Sequence, residues 1–281
     1  MNENKLTIIV LAYNKAKYLS ECLNSILKQN VNFNYQILIG NDGSSDNTAI
    51  IAQTYEKKYP DIIKFFFTER VYRKYPGDYI NFANLYSKTK TDYFCVLDGD
   101  DFYTDDNKLQ MQFDFLESDK SYSYVGHNYY YLYNDGKMQA AYSEIDIPKY
   151  KSTSENLSQL LLGGTIPYLH TSSVMFRNIF KDDTKFHDYF KSKTAHMYKA
   201  DFIRLMLHAS KGKGKFIDKL MSCYRIHEEG RWTKLGAFKQ ALEMIPYYRF
   251  HSKHTFSKKY TKEFNGLIIK ELKKLFTWFR R

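Results

Sequence analysis

The sequence contains a cluster of carboxylates suited to binding a divalent cation. Asp98, Asp100 and Asp101 fall within four residues, directly after the apolar run 93–97, which predicts a buried strand. Carboxylates this close repel one another unless a cation lies among them, and their hard oxygen atoms suit Mg²⁺ or Mn²⁺ bound together with a diphosphate. A helix-capping acidic loop would explain one or two of these acids, but not their place at a strand end. The cluster therefore predicts a metal site.

A second polar motif, NDGSSD at residues 41–46, follows the strand-like run 35–40. In open parallel sheets, ligands bind beyond the carboxyl ends of the strands. At that place, Asp42 could accept a base N–H group of a nucleotide while backbone amides of the glycine turn face the ligand. An Asx-type turn that only caps the next helix is the alternative, and the motif alone leaves both interpretations open.

The elements that must position these motifs alternate between strands and helices. The first half contains expected strands over residues 6–11, 35–40, 62–68 and 93–97, and expected helices over 17–29, 46–58 and 78–87. This alternation predicts a parallel sheet with helices on both faces. The less regular second half contains an expected helix at 107–117, a hairpin of 122–133 and 137–142, strands at 172–177 and 215–224, and a helix at 197–209.

Length and composition exclude several classes of protein. The chain has 281 residues, of which 43% are hydrophobic, so it can bury a full core. No signal-like apolar region follows Met1, and no apolar stretch reaches the roughly 20 residues of a membrane-spanning helix, which predicts a cytoplasmic protein. The cysteines Cys22, Cys95 and Cys223 have neither disulfide nor zinc spacing and are expected to be buried thiols. Aromatic residues at 17% suit flat surfaces for sugars or an interface with lipid headgroups.

The net charge of +11 is concentrated at the C-terminus. Residues 235–281 contain 11 Lys and Arg against three Glu, or +8 of the total. Residues 258–281 interleave large apolar side chains with lysine and arginine, a pattern typical of an amphipathic helix drawn to anionic lipid. An ordinary helix docked on the domain with a solvated basic face is the alternative. Nucleic-acid binding is not favoured, because the charge lies on one terminal helix rather than on an aromatic-studded sheet or a reading helix.

Three segments together resemble the family 2 glycosyltransferases of the GT-A fold, found in bacterial capsule, lipopolysaccharide and glycoprotein pathways. These segments are LTIIVLAYN at 6–14, NDGSSDNT at 41–48 and VLDGDDFYTDDNKLQMQFDFLE at 96–117. The resemblance covers residues 5–235 and is most specific in the first 120. It implies a mixed, mostly parallel sheet flanked by helices in a catalytic domain 1–234. Residues 1–105 would form the nucleotide-sugar half and 106–234 the acceptor half, followed by a basic amphipathic helical tail, 235–281.

The resemblance also implies which residues bind the nucleotide and the metal. The nucleotide would be bound by Ala12, Tyr13, Asn14, Asp42, Asp98 and Gly99. The metal, Mn²⁺ or Mg²⁺, would be bound by Asp98, Asp100, Asp101 and His227. The dense acidic cluster leaves open which of its three acids are ligands.

Further residues are assigned by the same resemblance. Asp201 lies where the family carries Glu-Asp at a helix start, and because Ala200 replaces the first acid, Asp201 remains as the general base. A helix N-terminal charge is the alternative for Asp201. The segment 222–232 resembles the one that closes the donor site, and the strand 169–177 resembles one that borders the acceptor pocket. From these segments, the residues implied for the diphosphate or the acceptor are Arg225, Arg231, Trp232 and His170. Purely structural roles remain open for His227 and Trp232.

These assignments predict an inverting, metal-dependent glycosyltransferase. It would move a hexose or N-acetylhexosamine from a nucleotide sugar, UDP-linked by family preference, to a hydroxyl of a growing bacterial surface glycan. The acceptor would be lipid-linked or an oligosaccharide, and the tail could hold the cytoplasmic protein at the inner face of the membrane. A nucleotide-sugar-binding module without turnover is the alternative.

Overall fold

Four parallel strands form the first half of the sheet. A computed structural model describes residues 3–69, 79–142, 169–184, 187, 200–227, 235–253 and 258–279. The strands are β1 Leu6–Ala12, β2 Tyr35–Asp42, β3 Ile63–Thr68 and β4 Tyr93–Asp98. They lie in the order β3-β2-β1-β4, and all three pairings are parallel. The predicted βα alternation of the first hundred residues is confirmed.

Helices cover both faces of these strands. They are α1 Leu19–Leu27, α2 Thr48–Lys58 and α3 Tyr79–Tyr86. Along β1, Ile8 and Val10 join a core cluster with residues of α1 and α2, whereas Ile9 and Leu11 join a second cluster with α3. Because successive strand residues point to opposite faces, a strand that is apolar throughout is buried from both sides.

The second half of the sheet is mixed. Its elements are β5 Phe102–Tyr103, α4 Lys108–Ser118, β6 Tyr122–Leu132, β7 Met138–Ala140, β8 Met175–Arg177, α5 Ala200–Ala209 and β9 Lys213–Arg225. Strand β8 runs antiparallel between β4 and β6, while β6 and β9 are parallel. The predicted hairpin is confirmed as the antiparallel pair β6 and β7.

The strand predicted over 172–177 is shorter than expected. Only Met175–Arg177 form a strand, and Thr171–Ser173 form a 3₁₀ turn. The side chain of His170 accepts the backbone N–H of Ser172, and the His170 carbonyl accepts the N–H of Ser173 at 2.9 Å. These local bonds compete with extended backbone, which is why the strand starts late.

The C-terminal region forms two helices, α6 Gly236–His251 and α7 Thr261–Phe279, that pack on each other and on the domain. Tyr247 of α6 and Phe264 and Leu267 of α7 are buried in the same cluster as the residues of α3. The apolar residues predicted for a lipid-facing surface are therefore divided between the protein core and the exterior. On the exterior, α7 carries an outer stripe of three exposed side chains, Ile269, Leu272 and Phe276. Within the described residues, no helix combines the length and apolar character needed to cross a bilayer.

Candidate active site

The carboxyl ends of β1, β2 and β4 meet at one edge of the sheet, here called the donor edge. The strand register pairs Ala12 with Asn41, and Leu11 with Asp98. Asp42, at the end of β2, is largely buried beside them. The register therefore brings the two polar motifs of the sequence together, as expected for a parallel sheet.

Side chains of the loop 41–48 hold the turn between β1 and α1. They accept three successive backbone N–H groups: Asn14 N to Ser44 Oγ at 2.9 Å, Lys15 N to Thr48 Oγ1 at 2.7 Å, and Ala16 N to Asp46 Oδ2 at 3.0 Å. Asn14 lies in the left-handed region with φ 51°, a conformation that asparagine tolerates better than most residues. The turn next to the predicted base pocket is thus held by hydrogen bonds within the protein.

The last residue of the NDGSSD motif makes an Asx-type contact just before α2. Asp46 Oδ1 accepts the backbone N–H of Thr48 at 3.0 Å, at the start of α2. Burial raises the pKa of Asp46, but its hydrogen bonds from Thr48 and Ala16 outweigh this effect and lower the pKa overall. Asp42, four residues earlier, instead lies at the strand end on the donor edge.

Gly99 allows the chain to turn sharply after β4. Its N–H donates to the carbonyl of Leu11 at 2.8 Å, and a Cβ added to it would lie 3.2 Å from that carbonyl oxygen. The N–H of Asp101 then donates to the carbonyl of Asp98 at 2.9 Å. This tight turn explains how three carboxylates that are close in sequence also come to lie around one point.

Asp100 is neutralised by residues of two other segments. Its Oδ2 forms an ion pair with Nζ of Lys15 and accepts a hydrogen bond from Nε2 of His227 at 2.8 Å. Burial raises the pKa of Asp100, but the hydrogen bond from His227 and the charge of Lys15 outweigh it and lower the pKa to about 2. His227 was predicted as a metal ligand, whereas Lys15 was not predicted. The only indication of Lys15 in the sequence is that a basic residue directly follows the AYN segment.

Asp101 is the buried acid of the cluster, with 1% of its surface exposed. Its Oδ1 accepts the backbone N–H of Arg225 at 3.0 Å, while Oδ2 has no hydrogen-bond partner among the described residues and lies 3.8 Å from His170 Nδ1. Burial and the charges of Asp100 and Asp98 raise the pKa of Asp101 well above its usual range. A buried carboxylate oxygen without a donor is a natural ligand for a cation.

The predicted metal ligands Asp98, Asp100, Asp101 and His227 do not form one group. One ligand atom each of Asp98, Asp101 and His170 lies within 4.8 Å of the others, a spacing that could hold one ion. Asp100 and His227 instead bond to each other. His170, predicted to contact the acceptor, thus lies beside the acids as well.

His170 and Asp201, predicted to contact the acceptor and to act as the general base, lie close enough for the charge of Asp201 to act on the His170 ring. Asp201 is in the first turn of α5, as predicted. Burial lowers the pKa of His170 to about 4, although the charge of Asp201 and then that of Asp100 act to raise it. Both charges therefore act on one imidazole. The His170 Nδ1 accepts from Ser172, so the neutral ring has its proton on Nε2.

Arg225 is held in the site by the contacts of its side chain. Its Nε donates to the carbonyl of Asp100 at 3.0 Å, its guanidinium forms an ion pair with Glu21, and it lies 4.6 Å from the ring centroid of Tyr18. Glu21 and Tyr18 were not predicted, because nothing in the sequence distinguishes them from other residues in or directly before a helix. Arg231 and Trp232, predicted for the diphosphate and the sugar, lie outside the described residues.

Aromatic rings extend from His170 along β6 and β9. Tyr224 stacks on His170 with ring centroids 4.2 Å apart, Tyr131 lies 5.9 Å from Tyr224, and Tyr133 lies 6.4 Å from Tyr131. Tyr129 is buried, with its ring centroid 5.3 Å from that of His170. We call Tyr129, Tyr131, Tyr133 and Tyr224 the tyrosine row. The rings are tilted relative to one another, by 40° between Tyr131 and Tyr133 and by 59° between Tyr131 and Tyr224, so each ring presents its own face.

Residues 7–184 match the profile described as Glycosyl transferase family 2, which is more than half of the chain. The chain belongs to this family. The chain has the GT-A architecture: its fold is similar to that of Staphylococcus aureus TarS 1–349 in complex with UDP-GlcNAc, with a TM-score of 0.61 at 16% identity over 95% of this chain and 72% of TarS 1–349. It is also similar to the mannosyltransferase PcManGT of Pyrobaculum calidifontis in complex with GDP-Man and Mn²⁺, with a TM-score of 0.59 at 12% identity over 90% of this chain and 65% of that one.

Relatives by sequence include longer proteins. An uncharacterised protein of Mycobacterium tuberculosis is 23% identical over 227 residues, which are 81% of this glycosyltransferase and 60% of that protein. The teichoic acid poly(glycerol phosphate) polymerase of Staphylococcus epidermidis is 33% identical over 99 residues, which are 35% of this chain and 13% of the polymerase. The family 2 chain thus spans about 60% or less of the length of these two relatives.

Proposed function

We propose that this glycosyltransferase moves a hexose or N-acetylhexosamine from a UDP-sugar to a hydroxyl of a bacterial surface glycan, with inversion. The observation that carries the proposal is the donor edge, where Ala12, Asp42 and Asp98 converge beside the buried carboxylate of Asp101. A fold that binds UDP-GlcNAc in TarS and the sequence similarity to a teichoic acid polymerase favour a UDP-sugar donor and a surface polymer as product.

The residues at the donor edge fit a divalent cation. Asp98 and Asp101 with His170, or Asp100 with His227, would hold Mn²⁺ or Mg²⁺, and the unpaired Oδ2 of Asp101 is the atom that most needs a positive partner. Such an ion supplies positive charge to the diphosphate as it leaves the sugar. Arg225 would add positive charge beside Asp100, and Arg231, which lies outside the described residues, is assigned to the diphosphate by resemblance alone.

Asp201 is proposed as the general base. An acceptor hydroxyl must lose a proton as it attacks the anomeric carbon, and a carboxylate within hydrogen-bond reach can take that proton. Its charge acts on His170, which borders both the acid cluster and the tyrosine row. Attack by the activated hydroxyl in a single displacement inverts the anomeric centre.

The tyrosine row is proposed to bind the acceptor glycan, and α7 to bring the site to a membrane. Tyr131, Tyr133 and Tyr224 are partly exposed and lead away from His170, so sugar rings of an acceptor could stack on them.

The outer stripe of α7 lies on the same helix as Lys262 and Lys273, both exposed. Apolar side chains beside lysines suit an anionic lipid surface that carries a lipid-linked acceptor.

A panel of nucleotide sugars tests the donor. The purified chain with Mn²⁺ is incubated with UDP-, GDP- and dTDP-linked hexoses and N-acetylhexosamines, and release of free nucleotide is measured. We expect slow hydrolysis of a UDP-sugar above the others. Binding of UDP-sugars without any nucleotide release, even with a panel of oligosaccharide and lipid-linked acceptors, would favour the alternative of a binding module without turnover.

A further inference from the structure

Lys15 places a positive charge at Asp100, where the predicted metal ion would also place one. Its Nζ donates to Oδ2 of Asp100, the same oxygen that accepts Nε2 of His227 at 2.8 Å. The contact joins the residue after the AYN segment at the end of β1 to the acidic turn after β4, two neighbouring strands. Both side chains are largely buried, with 19% of Lys15 and 12% of Asp100 exposed.

Lys15 and Asp100 form an ion pair inside the site, where both side chains are largely buried. Two oppositely charged groups in a partly buried site attract each other more strongly than in water. The same ammonium group repels any further cation that approaches Asp100.

The backbone of Lys15 is fixed, whereas its side chain is a flexible stem. Its N–H donates to Thr48 Oγ1 at 2.7 Å, and its carbonyl accepts from the N–H groups of Tyr18 at 2.9 Å and Leu19 at 2.8 Å. The ammonium group can therefore move only over an arc around this turn. Lys15 directly follows Ala12–Asn14, the segment proposed to bind the nucleotide, so its side chain starts next to that proposed site.

From this geometry we infer that Lys15 is an internal counter-ion that is exchanged for the divalent cation. In the nucleotide-free protein it neutralises Asp100, and it moves to the diphosphate when cation and donor bind together. This inference rests on the proposed donor site and goes beyond it, because it predicts that the cation binds weakly alone and tightly with nucleotide. Lys15 acts as a positioning residue for the donor diphosphate.

Mn²⁺ binding to the full chain tests this exchange without an acceptor. Free Mn²⁺ is measured by electron paramagnetic resonance, with and without UDP, for the wild type, Lys15→Met, Lys15→Arg and Lys17→Met. Lys17 is an exposed neighbour whose Nζ lies over the Tyr18 ring, so it serves as the matched control. Without UDP, we expect Lys15→Met to bind Mn²⁺ about tenfold more tightly than the wild type, a typical size for coupled sites.

The nucleotide gives a second readout. UDP and Mn²⁺ must raise each other's affinity by the same factor, and we expect this factor to fall in Lys15→Met but not in Lys15→Arg or Lys17→Met. Equal Mn²⁺ affinity of the wild type and a folded Lys15→Met, as judged by circular dichroism, would overturn the exchange. Failure of the wild type to bind UDP would overturn the proposed donor site, while the nucleotide-free comparison would still decide the role of Lys15. Absence of Mn²⁺ binding in all four proteins would overturn both.

Discussion

The proposed donor and acceptor sides of the site are built from different kinds of contact. On the donor side, side chains of the loop 41–48 hold the turn 14–16, and Asp100 pairs with Lys15 and His227. On the acceptor side, His170 and the tyrosine row contact one another mainly through their rings. Fixed polar groups suit one charged ligand of constant shape, whereas aromatic faces accept many sugars. We therefore expect the fold to determine the donor and the tyrosine row to determine the acceptor.

Removal of the metal should have the largest effect on activity, and it should act directly on the donor side only. We expect activity to vanish in excess EDTA and to return with Mn²⁺, because the acid cluster needs a cation to bind a diphosphate. Asp100→Ala should lose metal-dependent nucleotide binding, measured by calorimetry, while circular dichroism stays unchanged. The matched control is Asp105→Ala, because Asp105 pairs with Lys219 at 2.6 Å, outside the cluster. Full turnover in EDTA would refute the metal requirement.

Loss of the proposed base should affect turnover and leave donor binding on the other side of the site almost unchanged. We expect Asp201→Asn to lower turnover by about two to four powers of ten, the usual contribution of a general base, with little change in donor affinity. Asp92→Asn, at the opposite end of β4 and paired with Lys5 and Lys181, should leave turnover unchanged. Donor affinity and turnover are measured separately. Near wild-type turnover in Asp201→Asn would assign the role to another acid, and a large loss of donor affinity would indicate a structural role.

The outer stripe of α7 tests whether the acceptor is approached at a membrane. Phe276 is 69% exposed, and its insertion into a lipid interface would bury apolar surface. We expect Phe276→Ser to weaken sedimentation with anionic vesicles about tenfold, the lower end of what a buried phenylalanine contributes. Phe67→Ser, which removes a 59% exposed phenylalanine from β3, is the control. Equal sedimentation of Phe276→Ser and the wild type, or no vesicle binding at low salt, would leave α7 as a docked helix only.

The tyrosine row should give the smallest effect, confined to the acceptor. We expect Tyr131→Ala to raise the acceptor KM about fivefold, in line with a single aromatic contact, and to leave the donor KM unchanged. Tyr130→Ala is the matched control, because the neighbouring residue of β6 points to the other face of the strand. Both constants are measured with the best oligosaccharide acceptor of the panel. A change in the donor KM instead would mean that the row supports the donor site.

The first half of the molecule was predictable from sequence because its signals are local. Apolar runs such as residues 6–11 and 93–97 define buried strands, and parallel pairing then forces the polar residues after them to one edge. The pair of Lys15 and Asp100 could not be predicted in this way, since 85 residues separate them and a lysine stem reaches in many directions.

Other features depend on contacts that no periodicity encodes. The 3₁₀ turn before β8 exists because the side chain of His170 captures a nearby N–H, within a stretch whose composition favours a strand. The division of α7 into a buried side with Phe264 and Leu267 and the outer stripe depends on where the helix docks. A truncation before α7 would therefore open the core of the domain, so single substitutions in the outer stripe test the membrane proposal more cleanly.

The turn 14–16 has a consequence for the entropy of binding. A loop that becomes ordered only around its ligand loses about 1–2 kcal/mol of backbone freedom per residue at the moment of binding. Here Ser44, Thr48 and Asp46 already hold three successive amides, so this loss occurs during folding. Those amide hydrogens should exchange with solvent as slowly as those of a helix, although the segment is a loop. If the nucleotide binds here as proposed, ordering of this turn should add little to the entropy cost of binding.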